Sequence, residues 1–255
     1  MTSIDNNDNN NNNNDEIASI KDRDTALRVL GVCGGIGSGK SQACRLLVDK
    51  LGCRVHLEAD SLAHRVYQPN NSGVVSEIAK AFPTVIEKQD DDDVGTINRK
   101  TLGSIVFADP KAMTKLEQIV WPHVKTIIQT EIETYSSSPP LQQENDREKV
   151  SKTNVLVLEA AVLIDAGWMD LLDGLWVVQA SPEVALRRLT TYRGLDKDDA
   201  LQRIQAQETR RGLGNGLQTE IDQGVVSAVI PNNEDDPDAL QERLRQAMEN
   251  PACWY

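Results

Sequence analysis

Gly34-Gly35-Ile36-Gly37-Ser38-Gly39 runs directly into Lys40 and Ser41, between an apolar stretch from Val29 and an amphipathic stretch over Ser41–Lys50. This is the spacing of a phosphate-binding P-loop, Gly34-x-x-x-x-Gly39-Lys40-Ser41. Glycines let successive backbone N–H groups turn inward around phosphate oxygens, and the helix that follows adds its positive N-terminal end. Lys40 is placed to reach β- and γ-phosphates and Ser41 to ligate Mg²⁺. Four glycines in six residues are more than a chance turn needs, so Gly34 through Ser41 form the candidate nucleotide site.

Acids stand where such a site needs them. Glu58-Ala59-Asp60 follows the strand-like Arg54–Leu57, at the carboxyl edge where ligands of open α/β sheets bind. Asp60 can accept the proton of an attacking hydroxyl or help hold Mg²⁺. If the strand continues, alternation turns Glu58 and Asp60 the same way. Equally, Asp60 can cap a helix that starts at Ser61. A second apolar run, Asn154–Leu158, ends in Glu159, which fits a Walker-B acid supporting Mg²⁺ through water or orienting Ser41; Asp165 is a weaker candidate.

Six arginines, Arg187, Arg188, Arg193, Arg203, Arg210 and Arg211, fall within 25 residues of an acidic chain. A helical lid over about 193–211 would bring arginines to the charge on a transferring phosphoryl and keep water out. Arg187, Arg193 and Arg210 are assigned to that role, and Arg188, Arg203 and Arg211 to the surface. His64 lies one helical turn beyond Asp60 and can share its substrate. His56 and His123 read as ordinary histidines.

These groups need a frame. Strands are expected from Val29 and over Arg54–Leu57, Asn154–Leu158, Leu175–Gln179 and Val225–Ile230, separated by helical stretches. Helices are expected over Ser41–Lys50, Ser61–Tyr67, Gly73–Ala81, Arg99–Phe107, Pro182–Tyr192 and Asp238–Glu249. Another, Pro110–Tyr135, should be interrupted at Trp121-Pro122. The alternation predicts an α/β fold, a five-stranded parallel sheet with helices on both faces. Gln89–Asp93 and the insertion over 136–153 read as solvated loops, and residues 1–24, with eight asparagines between Asn6 and Asn14, as a disordered tail.

Composition narrows the partners. The chain of 255 residues carries a net charge of −12, with a pI near 4.8, so no nucleic acid or membrane surface is expected to bind. No stretch approaches the roughly 20 apolar residues of a membrane span, and a signal-peptide core is lacking. Cys33, Cys44, Cys53 and Cys253 show no zinc spacing and read as reduced thiols of a cytoplasmic protein.

Together these motifs resemble the dephospho-coenzyme A kinase family. The resemblance is carried by the P-loop, Glu58-Ala59-Asp60-Ser61-Leu62-Ala63-His64, Ile97-Asn98-Arg99-Lys100-Thr101-Leu102-Gly103, Trp121-Pro122, Glu159-Ala160-Ala161-Val162-Leu163-Ile164-Asp165-Ala166-Gly167-Trp168, and Pro182-Glu183 leading to Arg193-Gly194-Leu195. It spans about Val29 to Glu249, and two stretches look most like the kinase half of bifunctional coenzyme A synthase.

Membership implies transfer of the γ-phosphoryl of ATP, with Mg²⁺, to the ribose 3′-hydroxyl of dephospho-coenzyme A. It implies a P-loop kinase core with a helical substrate domain over about 68–135 and a lid. By position it makes Asp60 the base, places Arg99 toward the substrate, brings the Gln42 amide to the α-phosphate, and sets Asn232 beside the adenine. Glu58, Gln42 and Glu159 depart from the residues usual there. A monomer is the default reading. The alternatives are another small-molecule P-loop kinase, acting on a nucleoside or nucleotide, a GTPase, and an inactive scaffold. Asp92-Asp93-Val94-Gly95 fits a D-x-x-G switch, but no guanine-reading Asn-Lys-x-Asp follows.

Overall fold

The structure, a computed structural model, describes residues 26–67, 72–87, 96–138, 153–211 and 217–255. The expected tail over 1–24, the acidic loop Gln89–Asp93 with the D-x-x-G stretch, and most of the insertion over 136–153 lie outside the described residues.

Strand β1 (Arg28–Cys33) runs into the glycine loop and helix α1 (Lys40–Asp49). Next come β2 (Val55–Glu58), α2 (Ala59–Val66) and α3 (Ser72–Ala81). A two-residue antiparallel pair, β3 (Ile86–Glu87) with β4 (Thr96–Ile97), leads to α4 (Arg99–Ala108) and the long α5 (Pro110–Ser137). The chain returns through β5 (Val155–Glu159) and β6 (Gly174–Gln179) to α6 (Pro182–Thr191), α7 (Lys197–Arg211) and α8 (Leu217–Asp222). It closes with β7 (Ala228–Pro231) and α9 (Pro237–Glu249).

The main sheet has five strands in the order β2-β5-β1-β6-β7, every neighbouring pair parallel. Covered on both faces, its inner strands are almost wholly apolar, as parallel strands must be. Alternation sorts their side chains. Leu30, Val32, Val157 and Trp176 pack on one face against Ala43 and Leu47 of α1 and Leu240 and Leu244 of α9. Val29, Leu156, Leu158 and Leu175 pack on the other, against a helical layer inserted between β2 and β5 that includes Ile78, Leu102, Val124 and Ile128. Ala200 and Ile204 of α7 form a small cluster with Ala185 and Leu189 of α6.

Register aligns the strand ends that carry chemistry. Val32 pairs with Glu159, and Glu159 with Glu58, so both acid-bearing ends come level with the start of the P-loop.

The five parallel strands follow the sequence expectation, but several details differ. Residue 59 is already helical, so Glu58 is the N-cap and Asp60 the second helical residue; strand alternation therefore does not relate the two. Glu58 caps nothing through its side chain and instead accepts from Ser61 Oγ at 2.7 Å. Helix α5 runs through Pro122 without interruption. The proline removes one backbone donor, while Val120, Val124 and Ile128 stay buried along one face and hold the helix together. The last strand begins at Ala228 rather than Val225, because the Val225 and Val226 amides turn back to the Glu220 carbonyl. Helix α8 and the β3–β4 pair were not anticipated.

Candidate active site

The loop after β1 is shaped by close approach. A Cβ on Gly34 would overlap the Val178 carbonyl oxygen. Gly39 caps α1 with φ +93, a left-handed conformation that favours glycine, and has no room for a side chain beside the Asn232 amide. With no side-chain cap, the amides at the start of α1 remain for an anionic ligand. The Gln42 amide, assigned to the α-phosphate, lies in that first turn and donates to the Gly39 carbonyl at 3.0 Å, which the Ala43 amide shares.

Lys40 arches over the loop, with Nζ donating to the Gly35 carbonyl at 3.4 Å. Burial holds its ammonium below the usual 10.5, and the negative charges of Glu159 and Asp60 offset part of that shift. Ser41 Oγ donates to Glu159 Oε1 at 2.8 Å, and His56 Nε2 to Glu159 Oε2 at 2.9 Å. Burial alone would raise the Glu159 pKa. The hydrogen bonds from His56 and Ser41 and the charge of Lys40 outweigh it, and the acid stays ionised below its usual range.

Residues implied to bind Mg²⁺ are thus together. Ser41 offers a hydroxyl oxygen whose proton is already given away, backed by an ionised carboxylate. Beside them Ser38 Oγ is buried without a partner among the described residues, a polar atom left over in the cradle. The oxygen-rich donor set fits a hard divalent cation.

Behind the loop, two side chains that the sequence reading placed differently hold it. Arg188, expected at the surface, is only 12 % exposed. Its Nη1 donates to the Gly37 and Ser38 carbonyls, both at 3.2 Å, and its Nε to Asp235 at 2.9 Å. This hydrogen bond holds the Asp235 carboxyl below its usual range. Arg187, assigned to catalysis, is exposed and paired with Asp235 at 2.7 Å. Asn232, expected beside the adenine, is 1 % exposed and its amide donates to the Ser38 carbonyl at 2.8 Å, so it braces the loop. Arg203 is exposed, as expected; the side chains of Arg210 and Arg211 lie outside the described residues.

Two cavities flank the P-loop. One, about 380 Å³, joins Gly39, Lys40, Ser41 and Gln42 to Tyr192 and Arg193 at the C-terminal end of α6. The other, about 300 Å³, lies between Gly35, Ile36 and Ser38 on one side and Ile204 and Gln207 of α7 on the other. The Gln207 side-chain oxygen accepts the Ile36 amide, so α7 already touches the cradle.

Across the sheet edge, Asp60 is exposed at the start of α2, and His64 stands one turn further on. Arg99, the first residue of α4 after the Asn98 cap, hydrogen-bonds to His64 Nδ1 and lies 5.6 Å from the Tyr67 ring centroid. The structure therefore brings together His64 and Arg99, both singled out in the sequence, and adds Tyr67, which was not.

A parallel sheet with a P-loop after its central strand, a buried acid beside the P-loop serine and a helix arching over the glycines defines a P-loop kinase. A sequence model described as dephospho-CoA kinase matches residues 28–213. Proteins named dephospho-CoA kinase from Dehalococcoides mccartyi and Geobacter sulfurreducens are each 34 % identical to the chain. The first aligns over 183 residues, 72 % of this chain and 82 % of that protein; the second over 221 residues, 86 % and 96 %. The crystal structure of TT1252 from Thermus thermophilus superimposes with a TM-score of 0.61 at 26 % identity, covering 88 % of this chain and 96 % of that one. The chain belongs to the dephospho-CoA kinase family, as its motifs indicated.

Proposed function

We propose that this chain transfers the γ-phosphoryl of ATP to the ribose 3′-hydroxyl of dephospho-coenzyme A, giving coenzyme A and ADP, the last step of coenzyme A synthesis. The observation that carries the reading is the P-loop serine itself: in a chain of the dephospho-CoA kinase family, Ser41 Oγ, one residue after Lys40, donates at 2.8 Å to the buried Glu159.

The P-loop amides and Lys40 bind and orient the phosphates, and Arg193 at the foot of the lid faces them. Ser41, with Glu159 through water, would hold Mg²⁺, which would supply neutralisation of the phosphate charge. Asp60 accepts the proton of the acceptor hydroxyl as its oxygen bonds to the γ-phosphorus and the bond to the β-phosphate oxygen breaks; ADP leaves. Arg99 with His64 and Tyr67 forms a cationic, aromatic-backed edge suited to a phosphate of the acceptor. The helical layer between β2 and β5 then serves as the substrate domain and α7 as the lid. Arg210, on that helix, would add charge on closure.

An intact Lys40, Ser41 and Asp60 argue against an inactive scaffold. The four free thiols suit a cytosolic protein, and among the described residues no helix is long and apolar enough to cross a membrane. Fragmentation mass spectrometry of the product tests the regiochemistry: a phosphate on the adenosine ribose supports the reading, and one on the pantetheine arm contradicts it.

A further inference from the structure

Glu159 sits 7 % exposed at the end of β5, and both of its carboxylate oxygens are used. Oε1 accepts the Ser41 hydroxyl at 2.8 Å and Oε2 accepts His56 Nε2 at 2.9 Å. The wholly buried Cys44 thiol of α1 lies within 4.8 Å of this carboxylate and of the His56 ring. A glutamate side chain has several free torsions, and a carboxylate tied at one oxygen alone can still swing; one tied at both cannot. Because Ser41 gives its proton to Oε1, the lone pairs of its oxygen stay available to a cation.

We propose that His56 is a positioning residue for the cation that accompanies the nucleotide. It touches neither phosphate nor acceptor. By holding the second oxygen of Glu159, it fixes the first against Ser41 and so presets the direction of the serine oxygen. In the sequence a lone histidine on an apolar strand carries no signal of its own. Its place explains the role: His56 lies on β2, paired in register with Val157, two residues before Glu159 on β5. That strand ends at Glu58, two residues before Asp60 on α2, so one imidazole ties the acceptor-side strand to the P-loop serine.

The inference rests on the reading of Ser41 and Glu159 as the pair that holds Mg²⁺. It is tested by titrating a fluorescent ATP analogue into wild type, His56→Leu and His56→Gln, once with saturating Mg²⁺ and once in EDTA. Partners of metal ligands typically change affinity by about 10- to 100-fold when lost. His56→Leu should weaken binding by about that factor with Mg²⁺ and by less than about twofold without it. His56→Gln, which keeps an N–H donor, should recover most of the loss. In turnover, the KM for Mg·ATP should rise while the KM for dephospho-coenzyme A stays unchanged.

Equal binding by His56→Leu and wild type with Mg²⁺, or an equal loss with and without it, would overturn the proposal. If His56→Leu does not fold, His56→Phe keeps the ring volume without the nitrogen and takes its place. Ser41→Ala and Glu159→Gln separate the two levels of the argument. If they abolish the Mg²⁺ effect and His56→Leu does not, only the positioning role fails; if they leave it intact, the Mg²⁺ pair fails and the positioning role with it.

Discussion

Asn232 and Ser38 are 194 residues apart in the chain, and the Asn232 side-chain amide donates to the Ser38 carbonyl at 2.8 Å, out of contact with solvent. Arg188 donates to that carbonyl and to Gly37's from the other side. Each peptide unit turned outward to meet these donors leaves N–H groups of the loop facing inward. The cradle's polarity toward anions is thus set from behind, by two residues that need not touch the nucleotide.

Replacing Asn232 with Leu keeps the volume and removes the donor. Arg188 still donates to the Ser38 carbonyl, so the loss is that of one hydrogen bond, about 0.5–1.5 kcal/mol. The urea midpoint should fall accordingly, with a higher KM for ATP. An unchanged midpoint would show that Arg188 alone satisfies the Ser38 carbonyl.

Arg188→Lys keeps the charge but loses the planar fork that spans two carbonyls and Asp235. Hydrogen bonds to charged groups are worth about 1.5–3 kcal/mol, roughly 10- to 100-fold in affinity. The KM for ATP should rise within that range. Arg187→Ala breaks only an exposed pair, worth about 0–1 kcal/mol, and should change the KM by a factor of about five at most. Steady-state kinetics on the two variants decide the matter, and the reverse ranking would return the role to Arg187.

Asp60→Asn should lower kcat by about 10²- to 10⁴-fold, the usual contribution of a general base, with the KM for ATP nearly unchanged. A rise in the ATP KM alone would make Asp60 a metal or structural residue.

Burial pushes the Cys33 and Cys53 thiols up to about 12. Raising a thiol's pKa depletes its thiolate, the reactive form, to about one part in 10⁴ at pH 8. A chromogenic disulfide reagent should therefore label the partly exposed Cys253 first. Labelling of Cys33 and Cys53 in the folded protein should be far slower and climb with pH toward 12. Fast labelling of all four sites at pH 8 would contradict their burial.

The P-loop was legible because its chemistry is contiguous: glycine spacing, Lys40 and Ser41 are read without knowing the fold. The parallel sheet was legible because its strands, buried on both faces, are nearly unbroken apolar runs. Arg187 and Arg188 could not be told apart by spacing. Neighbours on a helix point about 100° apart, and what turns Arg188 inward is Asp235, 47 residues further on. Asn232 drew notice only through the family resemblance, and its actual partner, a backbone carbonyl, leaves no trace in any side-chain pattern. His56 was passed over for the same reason, since its meaning lies in a strand pairing across the chain. Tyr67 joined Arg99 and His64 only once α2 and α4 were docked. The β3–β4 pair, two residues a side, is too short to show a period.

ADP release with ATP and Mg²⁺ should be measured with dephospho-coenzyme A, adenosine, AMP and shikimate as acceptors, with Lys40→Ala as the control. Rapid turnover with dephospho-coenzyme A alone, lost in Lys40→Ala, is the predicted result. Turnover with another acceptor and none with dephospho-coenzyme A would contradict the proposed function while leaving the P-loop kinase fold in place.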